Sequence, residues 1–247
     1  MKWLFFILFI FKVQAGLDMN MKTQLRSYPL AGTLDVEFGY GILIWGEESS
    51  KPWYGYIRPR VQGTAIGRFS AYKYQLDFFP ISFLGVRAGR EETDLSMEPE
   101  DYDCVTYKCA MKTTRDFSGA NFTFGIGRFF LNLDYLKEDF QPEVADTDFV
   151  VPVYGLAFNL AGEEVETYKA VTGLKLSDLY TVFFYGQYTK TVDTNKRMRM
   201  SAINLLRTGS SFNMFFGGGV FDSDLFSRKL TITAGLRWKI SPSLALF

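Results

Sequence analysis

Few residues of this chain are equipped for proton or group transfer. None of its 247 residues is histidine, so no unperturbed side chain takes up and releases a proton near neutral pH. A Ser–Lys or paired-carboxylate arrangement would have to stand in, and no motif marks one. The chain is therefore not expected to be an enzyme. Two cysteines without histidine also remove the usual zinc constellations, and neither a metal nor a cofactor is expected. Cys104 and Cys109 close the longest polar stretch, which begins at Arg90. In an oxidising compartment they are expected to form a disulfide that pinches a small loop. The same stretch carries Glu91, Glu92, Asp94, Glu98, Glu100, Asp101 and Asp103 with no basic residue between them. Hard carboxylates suit Ca²⁺ or Mg²⁺, but the spaced ligand pattern of a calcium hand is missing, and a solvated loop is the simpler reading. Gly217-Gly218-Gly219 lacks the Lys-Ser/Thr and the helix of a phosphate loop; it permits strand bending or close packing.

The elements that position the remaining charges are strands. From Lys229 to Ile240 the even positions are Leu, Ile, Ala, Leu, Trp and Ile, and the odd positions are Lys, Thr, Thr, Gly, Arg and Lys. Such alternation gives a strand one apolar and one polar face, whereas a helix would scatter the charges around its circumference. Leu34 to Ile44 alternates in the same way against Asp35 and Glu37, with Leu43 the one exception. Further runs cover Gly119–Ile126, Phe129–Tyr135, Thr167–Leu176, Tyr180–Phe184 and Phe212–Phe216. Several strands reach the length that a tilted strand needs to cross a bilayer. Short breaks at Pro80–Ser82, Gly127-Arg128, Ser177-Asp178, Thr208–Ser210 and Ser241–Ser243 contrast with longer polar ones at Gly46–Pro52, Arg90–Lys108 and Gln141–Asp148. The strand count depends on two segments. Trp53 to Pro80 is too long for one strand and tight for two, and Phe149 to Leu160 is either a full strand or part of a long excursion. About 12 strands are expected, with 10 the alternative.

The N-terminus has the layout of a secretory signal: Met1-Lys2, an apolar run from Trp3 to Phe11, and Val13-Gln14-Ala15 before an expected cleavage. Residues 1–15 are thus expected to be a leader and 16–247 a single domain. The mature part carries 25 basic against 27 acidic residues, which suggests no nucleic-acid partner. Aromatic residues make up 17% of the chain, yet its most apolar later stretch, Phe149 to Ala161, is 13 residues long and contains a proline. A bilayer-crossing helix needs about 20.

The signal, the long alternating strands, the aromatic strand ends and the segment Gly235-Leu-Arg-Trp-Lys-Ile240 resemble bacterial outer-membrane β-barrel proteins. The resemblance implies an all-β fold: a transmembrane antiparallel up-and-down barrel with short periplasmic turns and longer extracellular loops. It implies a Gram-negative outer-membrane location, contact with membrane lipid and lipopolysaccharide, and the barrel-assembly machinery during biogenesis. Outer-membrane phospholipases, deacylases, palmitoyl transferases and omptin-type proteases all use a catalytic histidine, which this chain lacks. Trp45, Trp53, Tyr54, Tyr56 and Trp238 are expected in interfacial aromatic belts. The terminal Phe247 looks like an assembly signal, although its parity does not match the Lys229–Ile240 run.

In such a barrel the polar face lines the interior. Asp35, Glu37, Arg87, Arg115, Asp134, Glu138, Lys169, Lys175, Arg197, Arg199, Arg237 and Lys239 are the candidate lumen-lining residues. They line a small porin-like channel for small solutes, or they pair across a narrow lumen and fill it. Their basic excess predicts a mild anion preference if a pore exists. A non-transporting barrel that acts through its loops is the alternative. If Arg58, Arg60 and the Lys196–Arg199 cluster face outward, they could hold lipopolysaccharide phosphates; lumen lining or turn decoration is the simpler reading.

Overall fold

In a computed structural model the chain is described over residues 15–47, 53–66, 69–96, 98, 102–143 and 147–241. The leader up to Gln14 and the terminal Phe247 lie outside the described residues. Among the described residues fourteen strands follow one another without a helix: β1 (Ala15–Ser27), β2 (Leu30–Gly46), β3 (Tyr54–Ile66), β4 (Phe69–Ile81), β5 (Leu84–Leu95), β6 (Met111–Ile126), β7 (Phe129–Pro142), β8 (Phe149–Val151), β9 (Leu156–Phe158), β10 (Glu163–Lys175), β11 (Tyr180–Thr191), β12 (Arg197–Thr208), β13 (Phe212–Ser223) and β14 (Lys229–Ser241). All but β8 and β9 form one closed barrel of antiparallel neighbours, sealed by β14 against β1 through pairs such as Met21↔Trp238 and Leu25↔Ala234. The barrel therefore has 12 strands. The segment 54–81 contains two of them, and Phe149–Leu160 belongs to the excursion between β7 and β10.

Each strand alternates across the barrel wall. On β2 the outward Leu34, Phe38 and Tyr40 are exposed while Gly39, Gly41 and Leu43 are buried. Outward Leu76, Val86, Leu133, Phe184, Ile203 and Phe216 carry the same exposed belt around the molecule. Soluble proteins rarely expose more than a few hundred Å² of contiguous apolar surface. A closed apolar belt over a sheet with no free edge satisfies hydrocarbon, which cannot hydrogen-bond to backbone. The protein is a transmembrane β-barrel.

Antiparallel order places both ends of the barrel chain and the connections after β2, β4, β6, β10 and β12 at one end, the turn end. Gly127, with φ of 58°, supplies the left-handed residue of the two-residue β6–β7 turn. The longer connections 96–110 and 143–162 lie at the opposite, loop end. One long break departs from the expected pattern: the connection from Gly46 to Tyr54 belongs to the turn end. The aromatic belt also needs correction. Trp45, Trp53 and Trp238 are exposed near the turn end, but Tyr54 and Tyr56 are 0% and 1% exposed and point inward. There they pack with Leu43 and Phe79, and Tyr56 stacks on Phe79 at 4.6 Å between ring centres. Leu43 breaks the alternation of its strand because it faces this inner apolar cluster.

The outward face makes a direct prediction. Ile203, 63% exposed near the middle of β12, should tolerate arginine poorly: Ile203→Arg is expected to cost about 2–4 kcal/mol, the midplane penalty for a lipid-facing cation. Urea titration of folding into phospholipid vesicles measures it.

Candidate functional site

The inner face is built from the polar halves of the strands, and its centre is an arginine ladder on β3. Arg58 donates to the Asp18 carboxylate on β1 through Nε (2.9 Å) and Nη2, and to Glu37 on β2 at 2.6 Å. Arg60 donates to the other oxygen of Glu37 at 2.9 Å and lies 3.1 Å from Asp77 on β4. Asp77 also accepts from Gln75. Gly39 makes this packing possible, since a Cβ there would lie 2.6 Å from Arg58 Nε and 2.8 Å from Asp18. A second set spans β5 to β7: Arg87 pairs with Asp134 at 2.6 Å, and Arg115 joins Glu91 (2.6 Å) to Glu138. Bidentate, charge-assisted geometry of this kind recovers much of the cost of removing the charges from water.

At the loop end the interior is closed by the excursion between β7 and β10. Its β8–β9 hairpin, paired Phe149↔Phe158 and Val151↔Leu156, folds back into the barrel mouth. Phe149, Leu156 and Phe158 are fully buried against the inward side chains of Phe140, Val165, Met198 and Phe221. Polar contacts hold it in place: the Tyr154 hydroxyl donates to Glu138 at 2.6 Å, Lys196 Nζ to the Ala157 carbonyl at 2.8 Å, and Ser223 to the Gly155 carbonyl at 2.8 Å. Burial, and then the charge of Glu138, pushes the phenol of loop residue Tyr154 well above its ordinary range, so it remains a donor. Glu163, at the start of β10, accepts from the backbone amides of Asn159, Asp193 and Thr194 and ties two loops together.

Of the sequence candidates, Asp35, Glu37, Arg87, Arg115, Asp134, Glu138, Lys169 and Arg237 face the interior. Asp35 accepts from Thr64 at 2.6 Å and Gln62 at 3.2 Å, and Arg237 reaches Asn20 at 3.4 Å. Lys239 is in register with Asn20, and its side chain lies outside the described residues. Lys175 sits half-exposed at the turn-end rim, paired with Asp178 at 2.9 Å. Arg197 and Arg199 must be corrected. Both point outward, because on β12 the even residues Met198, Ala202 and Asn204 are the buried ones, and Arg199 lies over the outward Tyr188 ring at 5.8 Å. Conversely Arg58 and Arg60 face inward, so neither can hold a lipid phosphate.

Several interior residues escaped the sequence candidates: Asp18, Lys22, Lys73, Asp77 and Glu163. All but Glu163 lie on β1 or β4. The alternation that marks them was present, as Leu17-Met19-Met21 against Asp18-Asn20-Lys22 and Tyr72-Tyr74-Leu76 against Lys73-Gln75-Asp77. The acidic run divides by the same rule. Glu91 pairs inward, Arg90 pairs outward with Asp116 at 2.7 Å, and Asp103 caps the amides of Val105 and Thr106 at 3.2 Å. Cys104 and Cys109 form the disulfide, with their Cα atoms 5.4 Å apart.

A closed sheet, an apolar exterior and a charged interior define the outer-membrane type of β-barrel. No protein-family model matches the chain, and no curated protein matches it. Solved structures similar to it include the KdgM porin (6% identical, 91% of this chain and 99% of that one, TM-score 0.47) and the NanC porin (9%, 90% and 100%, 0.47). OmpT, an outer membrane protein of Vibrio cholerae, is similar at 8% identity over 91% and 98%, with a TM-score of 0.45. The class assignment rests on this chain's own sheet closure and surface.

Removing Arg58 would strand two carboxylates in the wall. Arg58→Ala is expected to destabilise the folded barrel by about 3–5 kcal/mol, and Gly39→Val to weaken it by crowding the same guanidinium. Arg90→Ala, on the exposed face, should leave the urea midpoint nearly unchanged. Equal midpoint shifts for Arg58→Ala and Arg90→Ala would contradict the ladder's role.

Proposed function

We propose that the protein is a Gram-negative outer-membrane barrel, exported by residues 1–15, that passes small solutes through a narrow interior with a preference for anions. Cleavage after Ala15 would trim only the first residue of β1. The loop end then faces outward and the turn end faces the periplasm, and the rim contacts lipopolysaccharide.

One observation carries the anion preference. Every described inward carboxylate has a partner: Asp18 and Glu37 accept from β3 arginines, Asp77 accepts from Gln75 and forms an ion pair with Arg60, Glu91 and Glu138 accept from Arg115, Asp134 from Arg87, Asp35 from Thr64 and Gln62, and Glu163 from backbone amides. The inward lysines differ. Among the described residues Lys22 and Lys169 have neither an ion-pair nor a hydrogen-bond partner, and Lys73 lies only over the Phe117 ring at 5.0 Å. Uncompensated cations in a confined path raise the local concentration of anions. This support differs from a count of basic residues, because most of the arginines are neutralised within the wall.

The β8–β9 hairpin favours a gated path, since its apolar face fills the outer mouth. It also supports the second reading, a barrel that does not transport and acts through its loops. Planar-bilayer recording separates the two. Under a KCl gradient the full-length barrel is expected to give a reversal potential of the sign for chloride. Lys22→Glu, Lys73→Glu and Lys169→Glu together should invert that sign, and deletion of Asp148–Leu160 should raise conductance several-fold. Silence from both the native and the hairpin-deleted protein would reject the channel and leave the second reading.

A further inference from the structure

The loop end carries a second concavity that the channel reading does not use. It has a volume of about 320 Å³ and is lined by Tyr28, Tyr102, Asp103, Tyr107, Leu225, Phe226 and Lys229. Ligand sites of small molecules begin at about 300 Å³ and combine an apolar lining with a few convergent polar groups. Here the apolar wall is aromatic and internally braced. Phe226 meets Tyr102 edge-on at 4.9 Å and Tyr28 at 5.7 Å. Tyr102 is anchored by its hydroxyl to the Pro152 carbonyl at 3.0 Å, and the Cys104–Cys109 disulfide closes the loop that carries Tyr107, next to Asp103. The site is thus held on two sides by rigid parts of the fold.

Its polar groups have capacity to spare. Oδ1 of Asp103 receives the Val105 and Thr106 amides and the Thr106 side chain also bonds the carboxylate, but a carboxylate offers about four lone-pair sites and keeps capacity to accept. Lys229 Nζ sits 4.4 Å above the Tyr28 ring with no carboxylate within ion-pair distance among the described residues. The hydroxyls of Tyr28 and Tyr107 make no side-chain hydrogen bond there either. Donors and an acceptor therefore surround flat apolar faces. A hydroxyl both donates and accepts, so a polyhydroxylated ring uses all of them while its C–H face rests on the aromatic wall. A single ammonium–carboxylate ligand would leave the two phenols unused.

We infer that this pocket is a saccharide-binding site at the outer mouth of the barrel, sized for one pyranose ring. The ring could come from a soluble sugar or from the core oligosaccharide of lipopolysaccharide, and the same chemistry serves both. Binding does not depend on conduction, so a silent bilayer trace leaves it intact.

Saturation-transfer NMR on the full-length barrel in detergent tests it, using glucose, galactose, N-acetylglucosamine and galacturonate in one arm and delipidated lipopolysaccharide core oligosaccharide in the other. Transfer with dissociation constants on the order of millimolar is expected for so small a ligand. It should fall at least five-fold in Tyr107→Phe and in Lys229→Met, and further in the pair, with heat-modifiable migration showing that each variant is folded. Transfer from the monosaccharides assigns a soluble source, and transfer from the core oligosaccharide alone assigns an envelope source. No transfer in either arm, or transfer unchanged in the folded double variant, overturns the inference.

Discussion

Hydrocarbon offers no hydrogen bond to a peptide group, and this constraint governs the rest of the molecule. A sheet that crosses a bilayer must satisfy all of its backbone within itself, so β14 returns to β1 and no edge is left. Closure then divides every strand into a lipid face and an interior face. The period-2 alternation that would make a soluble sheet half-wet here makes it apolar outside and charged inside. The charged interior is thus a consequence of the apolar exterior. Polar positions of twelve strands have nowhere else to go.

That interior must be neutralised locally because its walls exclude most water. The solution is a set of cross-strand arginine–carboxylate pairs centred on Arg58, Arg60, Arg87 and Arg115. Arginine suits the task because its planar fork serves two carboxylates at once, as Arg58 does for Asp18 and Glu37. Lysine, a point charge on a flexible stem, is left for positions that face the lumen without a partner. The functional polarity of the interior follows from this division of labour. The wall holds arginines and acids in balance, and in the proposed channel the lysines left over would line the path.

A twelve-strand barrel is wider than its own side chains can fill, and the loop end shows how the surplus is used. The β8–β9 hairpin brings Phe149, Leu156 and Phe158 into the mouth and buries them against Phe140, Val165, Met198 and Phe221. These apolar residues form a small soluble-type core inside a membrane protein. The 102–110 stretch, with its disulfide, packs beside it through Cys109, Val150 and Ala157. The outer mouth is therefore a compact structure rather than a fringe of loops, and its surface carries the aromatic pocket.

By itself the sequence determined the barrel, because alternation is a local property that each strand carries without knowledge of its neighbours. Asp35, Arg87, Arg115, Asp134 and Glu138 could be placed inside for that reason, and the disulfide followed from spacing and compartment. Arg197 and Arg199 were expected inside although no alternating run covers them, and only the packing of Met198 and Ala202 shows which face is which. Which charges pair is not local at all. Arg58 and Asp18 are 40 residues apart, and strand register alone brings them together. The hairpin was likewise invisible as a plug, since Phe149–Phe158 has the composition of a strand and only the closed barrel offers it a cavity to fill. Tertiary structure decided the pairing and the closure of the mouth, because both depend on contacts between strands rather than on the pattern within one.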